Sequence, residues 1–491
     1  MKSLNRVGKT LREIKSFLHV FSKWLIFTMS RQGRLENIKQ VMIQLAATFE
    51  SALAAQSNAS LNPLRLAHRE VKKSDLDKAE FFFNEAIRLD YRNPDVYFLK
   101  ASVLTYLRGD PSGVDRELEQ GLTISRQISQ ELGLDALRLR IIGDDFAGMG
   151  HLALLDPLIK LKRLGFVTNN HVMVVQSRSV ANAAYLNCWR KHLPIIVTNP
   201  SRYSAIKNLF GSIFENLSMW EANDRYLPLY QGWNLALDQW ADAPPLLELE
   251  PEIELSGQKL LSKVGVPPDA WFVGLHVREG MKGGAMRSGA DADIRDYQSA
   301  IERIVEKGGW VVRMGRGGTP LPESAQVWDY ANSEFSSDWM DVFLWASCRF
   351  FVGTSSGPLS VPPTFGRPVV HTNACSVGNA HGFRNSVMLP KLLWSDERGG
   401  FLNFSEMFKA PYGWTVLPEY DSGRTKLVPN TPQEIVSAVD EMLDHLDGIR
   451  PLASDPKMQE AFEAIREPFR ATSRLKVADS FLHAHKELLR R

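Results

Sequence analysis

The stretch WFVGLHVRE, residues 271–279, decides the fold of this chain. Its first seven residues carry no charge and end at Val277, as expected of a strand buried on both faces of a parallel sheet. Arg278 and Glu279 follow it directly. Ligands of open α/β sheets bind beyond the carboxyl ends of the strands. The sequence therefore predicts an anion-binding site at Arg278.

A second stretch of the same kind is RFFVGTSSGP, residues 349–358. Here a predicted strand runs into a loop, 353–357, and then into a predicted helix over 359–365. Backbone N–H groups, hydroxyl groups and the positive end of a helix dipole all favour phosphate oxygens. The alternative is that the hydroxyl groups only cap the helix. The residues expected to contact phosphate are Gly353, Thr354, Ser355 and Ser356.

Short apolar runs alternate with helical patterns on both sides of these stretches, which indicates parallel α/β architecture. Further predicted strands cover residues 136–143, 173–176, 194–198, 310–314, 327–330 and 368–371. Further predicted helices cover residues 152–164, 293–307, 338–346, 431–446 and 455–491. We expect two Rossmann-like domains, 131–255 and 256–415, followed by C-terminal helices over 416–491.

A pair of glycines lies in GMGH, residues 148–151, between a predicted strand and a predicted helix. Glycine lets the backbone approach a ligand closely, so Gly148 and Gly150 are candidate ligand contacts. His151 follows them and is a candidate catalytic base. Its alternative roles are a hydrogen-bonded ligand contact or a residue that only begins the helix.

Three residues at the end of the first strand also have two interpretations each. Arg278 is either a bidentate clamp on a diphosphate or a partner in a structural ion pair, for example with Glu279. Glu279 is either a catalytic base or a member of such a pair. His276 is either a ligand contact or an ordinary core histidine.

Composition limits the class of protein. The chain has 491 residues, 44% of them hydrophobic, and a formal net charge of +2, so nothing in its overall charge points to nucleic acid. Its three cysteines form no C-x-x-C pair, which predicts a reducing compartment and no disulfide framework. No run of about 18 uncharged apolar residues occurs. These features predict a cytoplasmic protein.

The N-terminal segment, residues 1–60, is basic and has helical apolar spacing. Its first 32 residues hold seven Lys or Arg and one acid, Glu13, and they lack a signal-peptide cleavage pattern. An amphipathic basic helix can lie on an anionic membrane. Residues 1–32 are therefore a candidate peripheral contact with the inner membrane. The alternative is a helix that packs on its own protein or on another subunit.

Residues 61–130 predict a helical region that resembles one and a half tetratricopeptide units. The signature consists of Ala79, Phe83, Ala86, Asn93-Pro94, Tyr97 and Ala101. Such a region is a candidate site for a protein partner. A structural helical hairpin that docks on the rest of the chain is the alternative, because a solenoid needs about three repeats to stand alone.

Metal binding is not predicted. Asp291 and Asp293 fit the short D-x-D pattern that binds a metal diphosphate in some transferases. Here the pattern follows a glycine-rich loop, and Asp293 is well placed to cap the helix predicted next. We expect no metal and no cofactor beyond a co-substrate.

The motifs GLHVR (274–278), DVFL (341–344) and ASCRFFVGTSSG (346–357) resemble the C-terminal domain of the α-1,6- and protein O-fucosyltransferases. Residues 136–410 as a whole resemble a family of largely uncharacterised bacterial glycosyltransferases. The motifs that carry this second resemblance are GHLA (150–153), GWVVRMG (309–315) and PKLLW (390–394).

These resemblances imply a GT-B fold, metal-independent glycosyl transfer and a nucleotide-diphosphate sugar as donor. They imply that His276, Arg278, Ser355 and Ser356 hold the diphosphate and that the 148–151 loop lies beneath the nucleotide. Residues 131–255 would form the acceptor side, with a glycan, a lipid-linked sugar or a protein as acceptor. Glu279 stands where the fucosyltransferases commonly have a second basic residue, so the donor sugar stays open.

Two other hypotheses remain. One is a tetratricopeptide scaffold that carries an inactive transferase domain. The other is a different sugar-nucleotide enzyme, such as an epimerase or a hydrolase.

Overall fold

The structure is a computed structural model. It describes residues 61–72, 75–103, 111–131, 138–210, 213–217, 219–222, 225–280, 289–322, 324–375, 377–409, 412, 425–468 and 474–490. The basic segment 1–60 lies outside these residues, so its helix and its membrane contact stay predictions. Among the described residues, no helix has the length and apolar character needed to cross a membrane.

Helices and strands alternate along most of the described chain. The helices are α1 Leu61–Lys72, α2 Leu76–Leu89, α3 Pro94–Val103, α4 Pro111–Glu131, α5 Met149–Leu152, α6 Leu155–Arg163, α7 Ala183–Cys188, α8 Pro200–Phe210, α9 Leu229–Trp240, α10 Pro251–Lys263, α11 Gln298–Glu306, α12 Asp338–Ser347, α13 Phe404–Phe408, α14 Pro432–Leu446, α15 Pro456–Arg466 and α16 Asp479–Ala484. The strands are β1 Leu139–Ile142, β2 Asn170–Gln176, β3 Ile195–Thr198, β4 Met219–Ala222, β5 Arg225–Pro228, β6 Phe272–His276, β7 Trp310–Arg313, β8 Val327–Trp328, β9 Phe350–Gly353, β10 Val369–Ala374, β11 Val387–Pro390, β12 Leu392–Ser395, β13 Gly400–Phe401 and β14 Thr425–Val428.

The chain divides into two compact units. Unit 1 contains the described residues of Met1–Ala147, Phe166–Val180 and Arg190–Tyr226. Its parallel sheet has the order β1-β2-β3, with the interior of β2 fully buried. Unit 2 contains Gly148–Gly165, Ala181–Trp189 and the described residues of Leu227–Arg491.

The helices α1 to α4 occupy the region with the tetratricopeptide signature. Ala79, Phe83 and Ala86 are buried on one face of α2 and pack with Ala67 and Val96 of the neighbouring helices. Helices α1, α2 and α3 therefore share a small hydrophobic core. The relation of these helices to tetratricopeptide repeats stays a prediction.

The main sheet of unit 2 has the order β11-β10-β9-β6-β7-β8, and all of its strand pairs are parallel. Read from the other edge, the strands follow the 3-2-1-4-5-6 order of a doubly wound fold. The apolar residues of β6 and β9 place these strands at the centre, where Val273, Leu275 and Phe350 are buried. The predicted parallel α/β architecture is confirmed. The strand order reverses between β6 and β9, which is where ligands bind in such sheets.

One predicted helix is wrong. Residues 359–365 do not form an α-helix, because the chain after β9 makes two short 3-10 turns, Gly357–Ser360 and Pro362–Phe365. Prolines lie within both turns and cannot donate the backbone bonds of an α-helix. The helix dipole that we expected to favour phosphate is therefore absent at this position.

In the C-terminal part of unit 2, helix α14 packs against β10 and β11 of the main sheet. In the same part, β12 pairs with β13 and β14 in an antiparallel sheet. Helix α14 begins with a capping box between Thr431 and Glu434, and its apolar face joins the large core that contains β6 and β9. The long helix predicted over 455–491 is two shorter helices, α15 and α16.

Candidate functional site

The two predicted ligand stretches meet at the carboxyl edge of the main sheet. In the register of β6 and β9, His276 lies opposite Gly353. The backbone N–H of Thr354 donates to the carbonyl of His276 at 3.2 Å, and the Thr354 hydroxyl accepts the N–H of Arg278 at 2.9 Å. The 353–357 loop is thus bonded to the end of β6.

Arg278 is held by a buried carboxylate. Its Nε donates to Oδ1 of Asp291 at 3.1 Å. The Asp291 side chain is 3% exposed, whereas that of Arg278 is 48% exposed. Within the described part of the chain, the terminal guanidinium nitrogens of Arg278 have no partner. The structural ion pair that the sequence left open for Arg278 is present, with Asp291 as its partner instead of Glu279.

A buried lysine holds the backbone of Asp291 in place. Lys391 is buried, and its Nζ donates to the backbone carbonyl of Asp291 at 2.5 Å. Burial lowers the pKa of Lys391, while Cys375 and Asp291 act to raise it. Lys391 lies in the PKLLW motif, whose contribution to the site the sequence did not indicate.

The D-x-D pattern has structural partners for both carboxylates. Asp291 accepts from Arg278, and Asp293 accepts the backbone N–H of Arg295 at 2.9 Å. The predicted capping role of Asp293 is confirmed, although the first turn it caps is a 3-10 turn, Ile294–Tyr297. Among the described residues, no group of three or more His, Cys, Asp or Glu could hold a metal ion.

His276 is a neutral, partly buried imidazole at the strand end. Its Nδ1 lies 3.0 Å from Oγ of Ser356, and that hydroxyl donates to the carbonyl of Thr354 at 3.1 Å. A hydroxyl has one proton, so we assign the imidazole proton to Nδ1, which leaves Nε2 as an acceptor. Burial, with Arg313 and Arg278 nearby, lowers the pKa of His276 to about 4.

Ser355 is paired with a second histidine. Its Oγ lies 2.9 Å from Nε2 of His371 and accepts the backbone N–H of Cys375 at 3.1 Å. Burial lowers the pKa of His371 to about 3. The sequence did not indicate His371 as a site residue. Its place in the predicted strand 368–371, next in sequence to the 349–352 strand, is the signal that could have found it.

The backbone of the 353–357 loop has free hydrogen-bond donors. The N–H groups of Ser355, Ser356 and Gly357 find no acceptor among the described residues. These three residues are partly exposed. Successive N–H groups without protein acceptors form sites for anions. The loop therefore keeps phosphate-binding capacity although no α-helix follows it.

The glycine-containing 148–151 loop contacts the 353–357 loop within unit 2. A Cβ on Gly150 would lie 3.0 Å from the Cα of Gly357, and a Cβ on Gly357 would lie 2.9 Å from the backbone nitrogen of Gly150. Only glycine leaves room for so close an approach of two backbones. Sequence reasoning identified Gly150 but not Gly357, which it treated only as the end of the loop.

Gly148 precedes the short helix α5 as its N-cap residue, and His151 lies in that helix. His151 is exposed. It is also near His381, whose pKa is lowered to about 4 by burial first and by His151 second.

Glu279 is engaged in an ion pair. Its Oε2 accepts from Nη2 of Arg313 at 2.5 Å and from the backbone N–H of Thr319 at 3.0 Å. The Arg313 side chain is buried and also pairs with Asp329 at 3.3 Å. This is the salt-bridge interpretation of Glu279 that the sequence left open.

No protein-family model matches the chain, and no curated protein matches it. Several solved structures do match. A glycosyl transferase family 9 protein from Veillonella parvula DSM 2008 is 11% identical, with 62% of this chain and 96% of that one covered and a TM-score of 0.39. The E. coli ADP-heptose lps heptosyltransferase II is 12% identical, with 48% and 83% covered and a TM-score of 0.31. The E. coli heptosyltransferase WaaC with ADP-2-deoxy-2-fluoro heptose is 10% identical, with 51% and 92% covered and a TM-score of 0.29.

These identities and TM-scores are low, so the function must be inferred from the residues themselves. The resemblance to the fucosyltransferases stays a prediction. What the geometry provides is a row of backbone donors, a half-exposed guanidinium and a neutral imidazole acceptor at one edge of a parallel sheet. The backbone donors and the guanidinium can bind an anionic group, and the imidazole can accept a hydrogen bond from a hydroxyl group of the same ligand.

Proposed function

We propose that this protein is a metal-independent glycosyltransferase of the GT-B kind that uses a nucleotide-diphosphate sugar as donor. The observation that carries the proposal is the arrangement at the switch point of the main sheet. There the free N–H groups of residues 355–357 and the terminal nitrogens of Arg278 belong to adjacent strand ends. Two phosphate groups require several donors of this kind.

The chemistry of sugar transfer explains why a positive charge is needed at this place. Negative charge develops on the diphosphate as its bond to the sugar breaks, and a fixed guanidinium lowers the energy of that state. Asp291 holds Arg278 by its Nε and leaves the terminal nitrogens for the phosphate oxygens. Neutral His276 adds no charge, but its Nε2 can accept a hydrogen bond from a hydroxyl group of the sugar nucleotide.

His151 is our candidate for the base that activates the acceptor hydroxyl. It follows Gly150, whose backbone contacts the 353–357 loop, and it is exposed. Glu279 is the weaker candidate because its carboxylate already holds the buried Arg313. The acceptor is a glycan, a lipid-linked sugar or a protein, and we propose residues 131–255 as its side of the enzyme.

Ligand-induced thermal stabilisation tests the donor site. The full chain is heated with ADP, GDP, UDP, CDP or dTDP and with the common sugars of each, and ADP is included because it is the nucleotide part of the ligand named for the E. coli WaaC structure. We expect one nucleotide to raise the melting temperature, because a ligand that binds only the folded state stabilises it. Arg278→Ala should abolish the rise.

Arg295→Ala is the matched control. Arg295 also pairs with an aspartate of the D-x-D pattern, but its side chain is 80% exposed and its partner is Asp293. It should leave the nucleotide effect intact. A protein that no nucleotide stabilises, or one that loses the effect equally in both variants, would contradict the proposal. An absent effect together with partner capture through residues 61–130 would favour the scaffold hypothesis instead.

Donor turnover separates the two enzyme classes. A glycosyltransferase releases the nucleoside diphosphate faster when acceptor is added. An epimerase or a hydrolase would convert the donor at the same rate without any acceptor, and that result would exclude transfer.

A further inference from the structure

A cavity of about 330 Å³ lies within unit 2, away from the diphosphate residues. Its walls come from α6, α9 and the 3-10 turns that follow the 353–357 loop. None of His276, Arg278, Ser355 and Ser356 lines it. The volume is at the lower end of the range of ligand pockets, about 300–1,000 Å³, so it has room for one small ring compound.

An ion pair with spare hydrogen-bonding capacity forms one wall. Nζ of Lys160 donates to Oδ2 of Asp156 at 2.6 Å, and the two side chains are only 12% and 14% exposed. A carboxylate can accept about four hydrogen bonds, and an ammonium can donate three. Within the described part of the chain, each of these groups makes one, through Oδ2 and Nζ. Oδ1 of Asp156 has no partner there but is closed off from solvent, so Oδ2 is the carboxylate oxygen that concerns a ligand. Burial raises the pKa of Asp156, whereas Lys160 acts to lower it.

Two tryptophans line the cavity beside this pair. Nε1 of Trp233 donates to the carbonyl of Gly382 at 2.8 Å, and Nε1 of Trp240 donates to the carbonyl of Pro244 at 2.8 Å. Both indole N–H groups are thus used within the protein. Trp233 is only 5% exposed, so Trp240 is the tryptophan that offers ring surface to a ligand. Nζ of Lys160 lies 5.8 Å from the centre of the Trp240 ring.

We propose that this cavity binds one neutral sugar ring at a site separate from the nucleotide-sugar pocket. A pyranose has an apolar face of C–H groups and an edge of hydroxyl groups. The Trp240 ring fits the first. Oδ2 of Asp156 and Nζ of Lys160 fit the second, because neighbouring hydroxyl groups can donate to this oxygen and accept from the ammonium at once. The site does not depend on the nucleotide pocket.

Saturation-transfer NMR on the full chain tests the site. The probes are the methyl glycosides of α-D-glucose, α-D-mannose, β-D-galactose, α-L-fucose and N-acetyl-β-D-glucosamine, each at up to about 10 mM, since a single ring is expected to bind with a Kd near 1 mM. We expect at least one glycoside to receive saturation at its ring protons. Asp156→Asn and Trp240→Leu should each weaken that binding at least about tenfold, which is about 1.4 kcal/mol.

Asp238→Asn is the matched control. Asp238 also lies on α9 but pairs with exposed Arg474 outside the cavity, so its replacement should leave sugar binding unchanged. Melting temperatures of all variants without ligand show which of them are folded, and Asp156→Asn decides the test if Trp240→Leu does not fold.

Failure of every glycoside to bind overturns the proposal, as does binding that Asp156→Asn and Trp240→Leu leave unchanged. Repeating the titration with saturating nucleoside diphosphate, where one binds, separates the two sites. Unchanged glycoside affinity supports a separate site, and competition overturns it. A protein that binds glycosides but no nucleotide would retain this inference while refuting the proposed transferase activity.

Discussion

Arg278→Ala is expected to weaken the fold as well as the nucleotide site. The reason is the asymmetry of the ion pair, in which the Asp291 side chain is 3% exposed and that of Arg278 is 48% exposed. Removing the arginine takes the Arg278 hydrogen bond from a buried carboxylate, which costs about 1–3 kcal/mol. The cost stays below the roughly 3–5 kcal/mol of a fully buried pair because Arg278 is half in solvent.

A double variant separates stability from binding. Asp291→Asn keeps an oxygen for hydrogen bonding but removes the charge, so Arg278→Ala with Asp291→Asn should recover about 1 kcal/mol relative to Arg278→Ala alone. Nucleotide binding should not recover, because the guanidinium is still missing. The assay is urea unfolding of the four proteins, together with nucleotide titration.

Strict additivity would refute this reasoning. If the free energies of unfolding of the two single variants add within about 0.3 kcal/mol, the two residues are not coupled as the geometry indicates. Recovery of nucleotide binding in the double variant would also contradict it, since Arg278 would then act only through stability.

Three further predictions concern the same site. Gly357→Ala should lower the free energy of unfolding by about 1–3 kcal/mol and weaken nucleotide binding, because its Cβ would lie 2.9 Å from a backbone nitrogen. A Cβ at Gly400 would have no atom within 4 Å, so Gly400→Ala should change the free energy of unfolding by less than about 0.5 kcal/mol, and equal effects in urea unfolding would contradict this. The pKa of His276 falls to about 4 on folding from an ordinary 6.5, so the unfolded state binds the proton first and stability is lost as pH falls from 6.5 to 4. The His276→Asn variant should lose less stability over that window, and parallel plots of stability against pH for the two proteins would exclude this contribution. Glu279→Gln should lower stability by about 1–3 kcal/mol because it weakens the pair with buried Arg313, while kcat falls less than about tenfold; a fall of about a hundredfold or more would instead identify Glu279 as the base.

The strands at the site were predictable because their apolar runs are long and uninterrupted. The predicted strand 271–277 contains β6, and the predicted strand 349–352 covers all of β9 except Gly353. The residues that follow the two strands meet because adjacent parallel strands end at one edge. The helix predicted over 359–365 is absent because its prolines outweigh its apolar spacing. The prolines at positions 358, 362 and 363 are visible in the sequence and already argue against an α-helix there.

The partners of the site residues were harder to predict. Asp291 lies 13 positions after Arg278, and Arg313 lies 34 positions after Glu279 at the end of another strand. Sequence spacing carries no information about either distance, because both depend on how loops return to the sheet edge. The same holds for Gly357, whose need to be glycine arises from Gly150, two hundred positions earlier in the chain.

The two units are each built from several separate segments of the chain, which limits how the protein can be truncated. Gly148–Gly165 and Ala181–Trp189 belong to unit 2, although segments of unit 1 precede, separate and follow them. A fragment that begins at Leu227 would therefore lack α6, which packs against α9. The buried residues of α9 include Tyr230, Trp233 and Ala236. Such a fragment would expose apolar surface and aggregate, so neither unit can be obtained by a single truncation. The 353–357 loop can also meet the 148–151 loop only after the roughly two hundred residues between them have been synthesised.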